Sequence, residues 1–530
     1  MSAAAAKLRA ARLKETDERV REDLDITLEA LARRRHTHAL EQRLLVPYRD
    51  LPREMYEGMQ VLLDKRNSES RRAHALERLR AYAGMAPGTR PLTELARERT
   101  EERASAAGLL WPYRGQVEQQ LNNCERYVAG IAELFRASAI QGWEAPHERI
   151  AGQVSSYCGW LRKTVLPRAR AIPALPPELY ADRLKDVGVD ITPEQAIALG
   201  TTEFGEVRDA MTQLAAGIAR ERKLPSVDYR EVLRALKRDA IPTDQVLSLY
   251  KRTLADIEQI ILREKLITLP DRAAAIRLAS EAESAAIPAP YFNAPRLIGN
   301  KGELGEFVIP LANPNAKSGA RIDDFTSAAA AWSLTAHEAR PGHELQAAAM
   351  VERGVSIARV AFAFNSTNAE GWGLYAEAIM LPYFPPEGQL FALQLRLARA
   401  ARAFLDPMVN LGRMTHDEAK EYLMREVALS EPMAQQEADR YAFRWPGQAI
   451  SYLYGYSRLR ELRIKAEILL GEKFDPREFH DLIIAQGLLP PRLLERSVLA
   501  ELARRYPGTA RTNASLGSAG SRPPMAAPSR

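Results

Sequence analysis

The sequence predicts a mainly α-helical protein, and three observations carry that reading. Apolar residues recur at helical spacing over most of the 530 residues. Prolines punctuate the pattern at Pro47, Pro87, Pro112, Pro167, Pro173, Pro176, Pro177 and Pro193. Only one short segment has the apolar run and flanking turn residues of a strand.

The elements follow in chain order. Leu24, Leu28 and Leu31 open an early helix, part of an N-terminal helical region over 1–170. The proline cluster between Ile172 and Pro177 marks its junction with a second helical region over 171–505, in which 323–460 holds the candidate site. Val246, Leu249, Tyr250, Leu254 and Ile257 share one face of a helix there. From Ala289 to Asn315 four prolines and three glycines surround the run Glu306–Leu311. That run reads as a strand or hairpin able to receive an extended peptide along its edge, and Asn313-Pro314-Asn315 reads as the turn that ends it. Asp323-Asp324-Phe325-Thr326 is suited to cap an Ala-rich helix beginning near Ser327. Leu390, Leu393, Leu397 and Phe404 mark a long packed helix. The tail over 506–530 is rich in Gly, Ser, Pro and Ala and reads as disordered.

Charge and composition narrow the function. Lys plus Arg number 74 against 68 Asp plus Glu, a net charge of +6, with 46% of residues hydrophobic and 27% charged. Three of the positives, Arg511, Arg522 and Arg530, lie in the acid-free tail. The folded body is therefore close to neutral, which argues against a nucleic-acid partner. Cys124 and Cys158 are the sole cysteines, so neither a disulfide framework nor a Cys-rich zinc site is expected. Met1–Val20 has no apolar run of signal-peptide length, and no stretch of eighteen apolar residues occurs. The expectation is a cytoplasmic protein without a membrane partner.

Chemistry concentrates in one place. Of eight histidines none lies between His147 and His337, and then two fall in His337-Glu338-Ala339-Arg340-Pro341-Gly342-His343. Zinc peptidases commonly use histidines four apart on one helix, where both rings reach one ion. Six residues of unbroken helix would turn the rings roughly 120° apart. Pro341-Gly342 removes that obstacle: proline disfavours helical geometry at Arg340, and glycine permits a sharp turn. A broken helix is expected, with His337 ending one segment and His343 in the first turn of the next. The third ligand is sought in Glu370-Gly371-Trp372-Gly373-Leu374-Tyr375-Ala376-Glu377, where Glu370 and Glu377 share a face. Each glycine costs a helix roughly 1 kcal/mol relative to Ala, unless another element approaches closely. His337, His343 and Glu370 would hold one Zn²⁺ with an open position, and Glu338 would act as general base and then acid. The same donor set also suits Fe(II). By spacing alone, a pair of surface histidines remains the alternative.

Taken together, 337–346 (His-Glu-Ala-Arg-Pro-Gly-His-Glu-Leu-Gln) and 370–377 resemble the two signatures of the bacterial domain-of-unknown-function family 885. Arg440-Tyr441, Pro446-Gly447-Gln448-Ala449 with Ser451-Tyr452 and Gly455, and Phe479-His480-Asp481 resemble its later blocks in the same order, and 186–195 its N-terminal segment. The resemblance implies a large multi-helix, gluzincin-like metallopeptidase fold with a groove and a small β-hairpin or sheet near the active site. It implies zinc-dependent hydrolysis of peptide or related amide bonds, with short peptides as substrates. It also points to Tyr452 as the oxyanion donor, with Tyr456 on the same helix face. Glu377, Tyr375, Gln448 and Tyr456 are the candidates for contacting substrate. A non-catalytic helical binding protein on the same scaffold is the remaining rival.

Overall fold

Asp17 opens the first long helix: its side chain accepts from the amides of Arg19 and Val20, and Glu18–Leu44 follows. The computed structural model describes residues 2–239, 241–280, 283–284, 287, 289–311 and 323–507. The turn at Asn313-Pro314-Asn315 and the tail beyond Pro507 lie outside the described residues.

The next five helices, Leu51–Leu63, Glu69–Tyr82, Leu92–Arg103, Arg114–Ser138 and Glu144–Trp160, are built around their own core. Met55, Met59, Leu79, Val117, Phe135 and Ile150 are among its fully shielded residues. Cys124 and Cys158 are joined there in a disulfide, contrary to the sequence expectation. The bridge spans 34 residues of sequence, and only the packing of two helices brings the cysteines to a Cα separation of 7.0 Å.

Beyond the proline cluster, Pro177 starts the helix Pro177–Asp186, and a Thr192–Gln195 capping box starts Pro193–Arg222. That helix lies along Pro386–Asn410, whose Leu390, Leu393, Leu397 and Phe404 are all buried. The two backbones meet at Gly200, where an added Cβ would fall 2.8 Å from the Ala400 carbonyl oxygen. Val246, Tyr250, Leu254 and Ile257 are likewise buried on Thr243–Glu264.

The strand expected at 306–311 forms, but as the middle of a sheet. β1 (Ala275–Leu278) pairs parallel and β2 (Tyr291–Asn293) antiparallel with β3 (Glu306–Ile309), in the order β1-β3-β2. Both edges of β3 are taken and Phe307, Val308 and Ile309 are fully buried, so peptide addition to this strand is ruled out. β2 is an outer strand instead. The acidic pair before the Ala-rich helix also differs from expectation. Ser327 is the cap, accepting from the Ala330 amide, while buried Asp324 takes the ammonium of Lys237 at 2.5 Å. Among the described residues no helix is long and apolar enough to cross a membrane.

Candidate metal centre

The helix carrying the first histidine breaks where the proline and glycine stand. Ala328–Leu334 is α-helical, Thr335–Ala339 widens into one π turn, and Arg340 is extended at φ −124°, ψ 135°. A new helix then runs from His343 to Arg353. Gly342 is required by the fold-back: a Cβ there would stand 1.8 Å from the His337 carbonyl oxygen. Arg340 braces the break from within, donating to Glu344 at 2.7 Å, to Glu258 at 2.7 Å and to the Arg272 carbonyl. From the far side, the Trp372 indole donates to the Pro341 carbonyl at 3.0 Å. The two imidazoles consequently lie edge to face with centroids 4.8 Å apart.

The carboxylates come from one straight helix, Ser366–Met380, begun by Asn365 accepting from the Asn368 amide. Glu370 sits 3.5 Å from Nε2 of His337 and 3.4 Å from Nε2 of His343. Seven residues on, Glu377 accepts from Nδ1 of the same His337 ring at 2.7 Å. Gly373 falls between them, and a Cβ there would lie 2.5 Å from the His337 ring. The helix thus holds one imidazole between two acids, and the glycine opposite the ring makes room for it. Gly371 serves a different contact: a Cβ would come within 2.6 Å of Gly455, on the Ser451–Leu470 helix. Both glycines therefore mark close approaches, as the sequence reading requires of them.

One ligand atom each from His337, His343 and Glu370 lies within 4.8 Å of the others. Two neutral imidazoles and a carboxylate are a donor set for a divalent transition ion. Glu377 orients His337 from behind and is itself held by the Ser333 hydroxyl at 2.5 Å and by Arg399 at 3.4 Å. Burial alone would lower the pKa of His337, but hydrogen bonds to Glu370 and Glu377 raise it to about 9. Burial would raise Glu370, and its two histidine partners hold it well below the usual carboxylate range. A cation held here would displace a proton from His337, so its affinity would weaken as the pH drops.

Glu338 and Tyr452 face the same cavity of about 1470 Å³, alongside His343 and Glu370. Burial raises the pKa of Glu338. Tyr452 is 7% exposed, its ring lies near-parallel to that of His337 with centroids 6.2 Å apart, and its hydroxyl accepts from Arg440 at 3.3 Å. Burial and then Glu370 push the Tyr452 phenol up, so it keeps its proton and remains a donor. Gln448 also lines the cavity, accepting from Arg440 at 3.1 Å and donating to Ser366 at 2.9 Å. The Glu18–Leu44 helix, through Ile26, Arg33 and Thr37, forms the opposite wall. Pro290, Tyr291 and Phe292, at and before β2, close a third side, with Phe292 stacked 6.2 Å from His343.

Other expected positions lie elsewhere. Tyr375 points away from the cavity to a buried His480, 2.9 Å from hydroxyl to Nε2, because it stands on the face of its helix that meets Pro476–Ala485. Tyr456 packs beneath the guanidinium of Arg396 at 4.8 Å. The sequence reading missed three arginines around Tyr452: Arg399, Arg402 and Arg440, whose guanidinium carbons lie 5.8, 4.4 and 6.0 Å from its ring centre. Arg440 heads a block that the family resemblance singles out, the one signal that could have found it.

Fold and site together describe a large helical protein with a two-histidine, one-glutamate cluster at the wall of a deep cavity. The chain belongs to the family described as "Bacterial protein of unknown function (DUF885)", whose model matches residues 1–498. Two solved structures share the fold. "The putative lipoprotein from Colwellia psychrerythraea" matches with a TM-score of 0.70 at 21% identity over 84% of this chain and 78% of its own. "A putative lipoprotein of unknown function from Shewanella oneidensis" matches with a TM-score of 0.71 at 17% identity over 93% and 91%. Metallocarboxypeptidase 1 of Trypanosoma cruzi aligns over 89% of this chain and 99% of its own at 15% identity, but with a TM-score of 0.28 it bears no weight here. No curated protein matches the chain.

Proposed function

We propose that the protein is a zinc-dependent hydrolase of peptide or related amide bonds, acting on short peptides. The observation that carries this reading is the convergence of His337, His343 and Glu370 within 4.8 Å beside a buried Glu338 in one cavity. His337, His343 and Glu370 would hold a divalent ion, whose charge would polarise a water and the scissile carbonyl. Glu338 takes the water's proton and passes it to the leaving nitrogen; its raised pKa suits it to holding that proton in between. Tyr452, protonated and already accepting from Arg440, has its own hydrogen free to donate to the oxyanion. β2, an outer strand next to His343, supports an extended peptide through backbone pairing. A cavity of about 1470 Å³ exceeds the usual size for a small-molecule ligand and accommodates several residues.

The test is Glu338→Gln: bound zinc remains while hydrolysis of a peptide library, read by mass spectrometry with and without chelator, falls by orders of magnitude. Unchanged turnover removes Glu338 from the mechanism. The same donors also suit Fe(II), so metal analysis of protein prepared without added metal, with an oxygen-consumption assay, separates the two chemistries. The compartment belongs to the proposal as well. A Cys124–Cys158 disulfide persists best in an oxidising compartment, and the two solved relatives described as lipoproteins point the same way, away from the cytoplasm expected from sequence.

A further inference from the structure

Three guanidinium groups, those of Arg399, Arg402 and Arg440, cluster around Tyr452, and two carboxylates, Glu377 and Glu437, face them. The pairing is uneven. Arg402 takes Glu437 in a two-pronged contact of 2.6 and 2.7 Å, and Arg399 reaches Glu377 at 3.4 Å. Arg440 is left with the same Glu437 at 3.5 Å and with two neutral partners, Gln448 and Tyr452. Each of the three keeps one buried nitrogen without a hydrogen-bond partner, Nε of Arg399 and of Arg440 and Nη1 of Arg402. Arg440 is the member of the three that lines the cavity, 12% exposed. Three guanidinium groups thus face two carboxylates, one positive charge in excess among these side chains. Buried charge of this kind is tolerated when a ligand completes it.

We infer that Arg440 anchors the terminal carboxylate of the substrate, so that the bond cleaved is the one next to a free C-terminus. This inference rests on the hydrolase reading and narrows it to a class of substrate. The geometry fits one residue. Arg440 stands 3.3 Å from the Tyr452 hydroxyl, and successive backbone units of a peptide are about 3.8 Å apart. A carboxylate on Arg440 leaves the preceding carbonyl within reach of Tyr452. Gln448, held between Arg440 and Ser366, fixes the plane of the guanidinium. Beyond Gln448 and Trp445 the space continues into a second cavity of about 1280 Å³ that shares those residues. Selection at this point is consequently by charge, not by a closed end.

The experiment uses full-length, zinc-loaded Glu338→Gln protein, which binds without cleaving, and an N-acetylated tripeptide as free acid and as C-terminal amide. By calorimetry the acid binds about tenfold or more tightly than the amide. Adding Arg440→Gln abolishes that ratio. Arg440→Lys, which keeps the charge and guards against a folding defect, reduces the ratio, because an ammonium does not reproduce the planar fork. Equal binding of acid and amide, or a ratio that survives Arg440→Gln, overturns the inference. Wild-type protein distinguishes the two levels of argument. Cleavage of amidated and free peptides alike leaves a hydrolase without the anchor. No cleavage of any peptide ends the hydrolase reading, while the acid-to-amide binding ratio still decides whether Arg440 holds a carboxylate.

Discussion

Replacing Glu377 by Gln tests the centre without touching a ligand. The carboxylate lies 2.7 Å from Nδ1 of His337, and both side chains are 3% exposed. At that burial the negative charge is poorly screened, and it strengthens the imidazole as a donor at the opposite nitrogen. The amide keeps the shape of the side chain and the contact with Ser333 but loses the charge, leaving Arg399 without its anion. Loss of such an outer partner lowers metal affinity about 10- to 100-fold, or roughly 1.4–2.7 kcal/mol. Zinc affinity is measured by competition against a chromophoric chelator at neutral pH, with thermal unfolding of the metal-free protein as the control for folding. An affinity equal to wild type in a normally folded variant refutes the assignment of Glu377 as the residue that orients His337.

Other perturbations test neighbouring parts of the argument. Gly373→Ala pushes a Cβ to 2.5 Å from the His337 ring, so either the ring or the helix shifts; zinc binding weakens and stability falls by about 1–3 kcal/mol in chemical denaturation. Burial holds His480 at about 4, against 6.5 in the unfolded chain. Between those values the unfolded state binds a proton that the folded state does not, so this contribution is present above pH 6.5 and is lost as pH falls towards 4. It amounts to about 3 kcal/mol, and urea unfolding across this range should show a shallower acid slope for His480→Gln than for wild type; equal slopes disprove it.

Local signals made the centre readable. Pro341-Gly342 announces a break between two histidines, and two glycines in a helix announce close neighbours, because both are statements about backbone within a few residues. The role of Glu377 was only half visible. Periodicity puts it on the face of Glu370, but that a single imidazole spans the interval between them depends on how the His337 segment crosses the helix. Asp324 looked like a cap since its partner, Lys237, is far upstream in the chain. The run 306–309 looked like an edge for the same reason: β1 and β2 reach it from distant segments, and sequence carries no mark of their order. The bridge between Cys124 and Cys158 was likewise settled by the packing of two helices. Arg440 stayed hidden because its shortage of counter-charge emerges only when the shared grip of Arg402 on Glu437 is seen.

The clasp on His337 has a mechanical consequence. An imidazole flanked at both nitrogens by acids of one helix has its orientation set by that helix. His343, past the fold-back, shares Glu370 but takes its second contact from Phe292 of the sheet's outer strand. The ring nearest the sheet's outer strand is thus the one that the paired acids of that helix do not clasp.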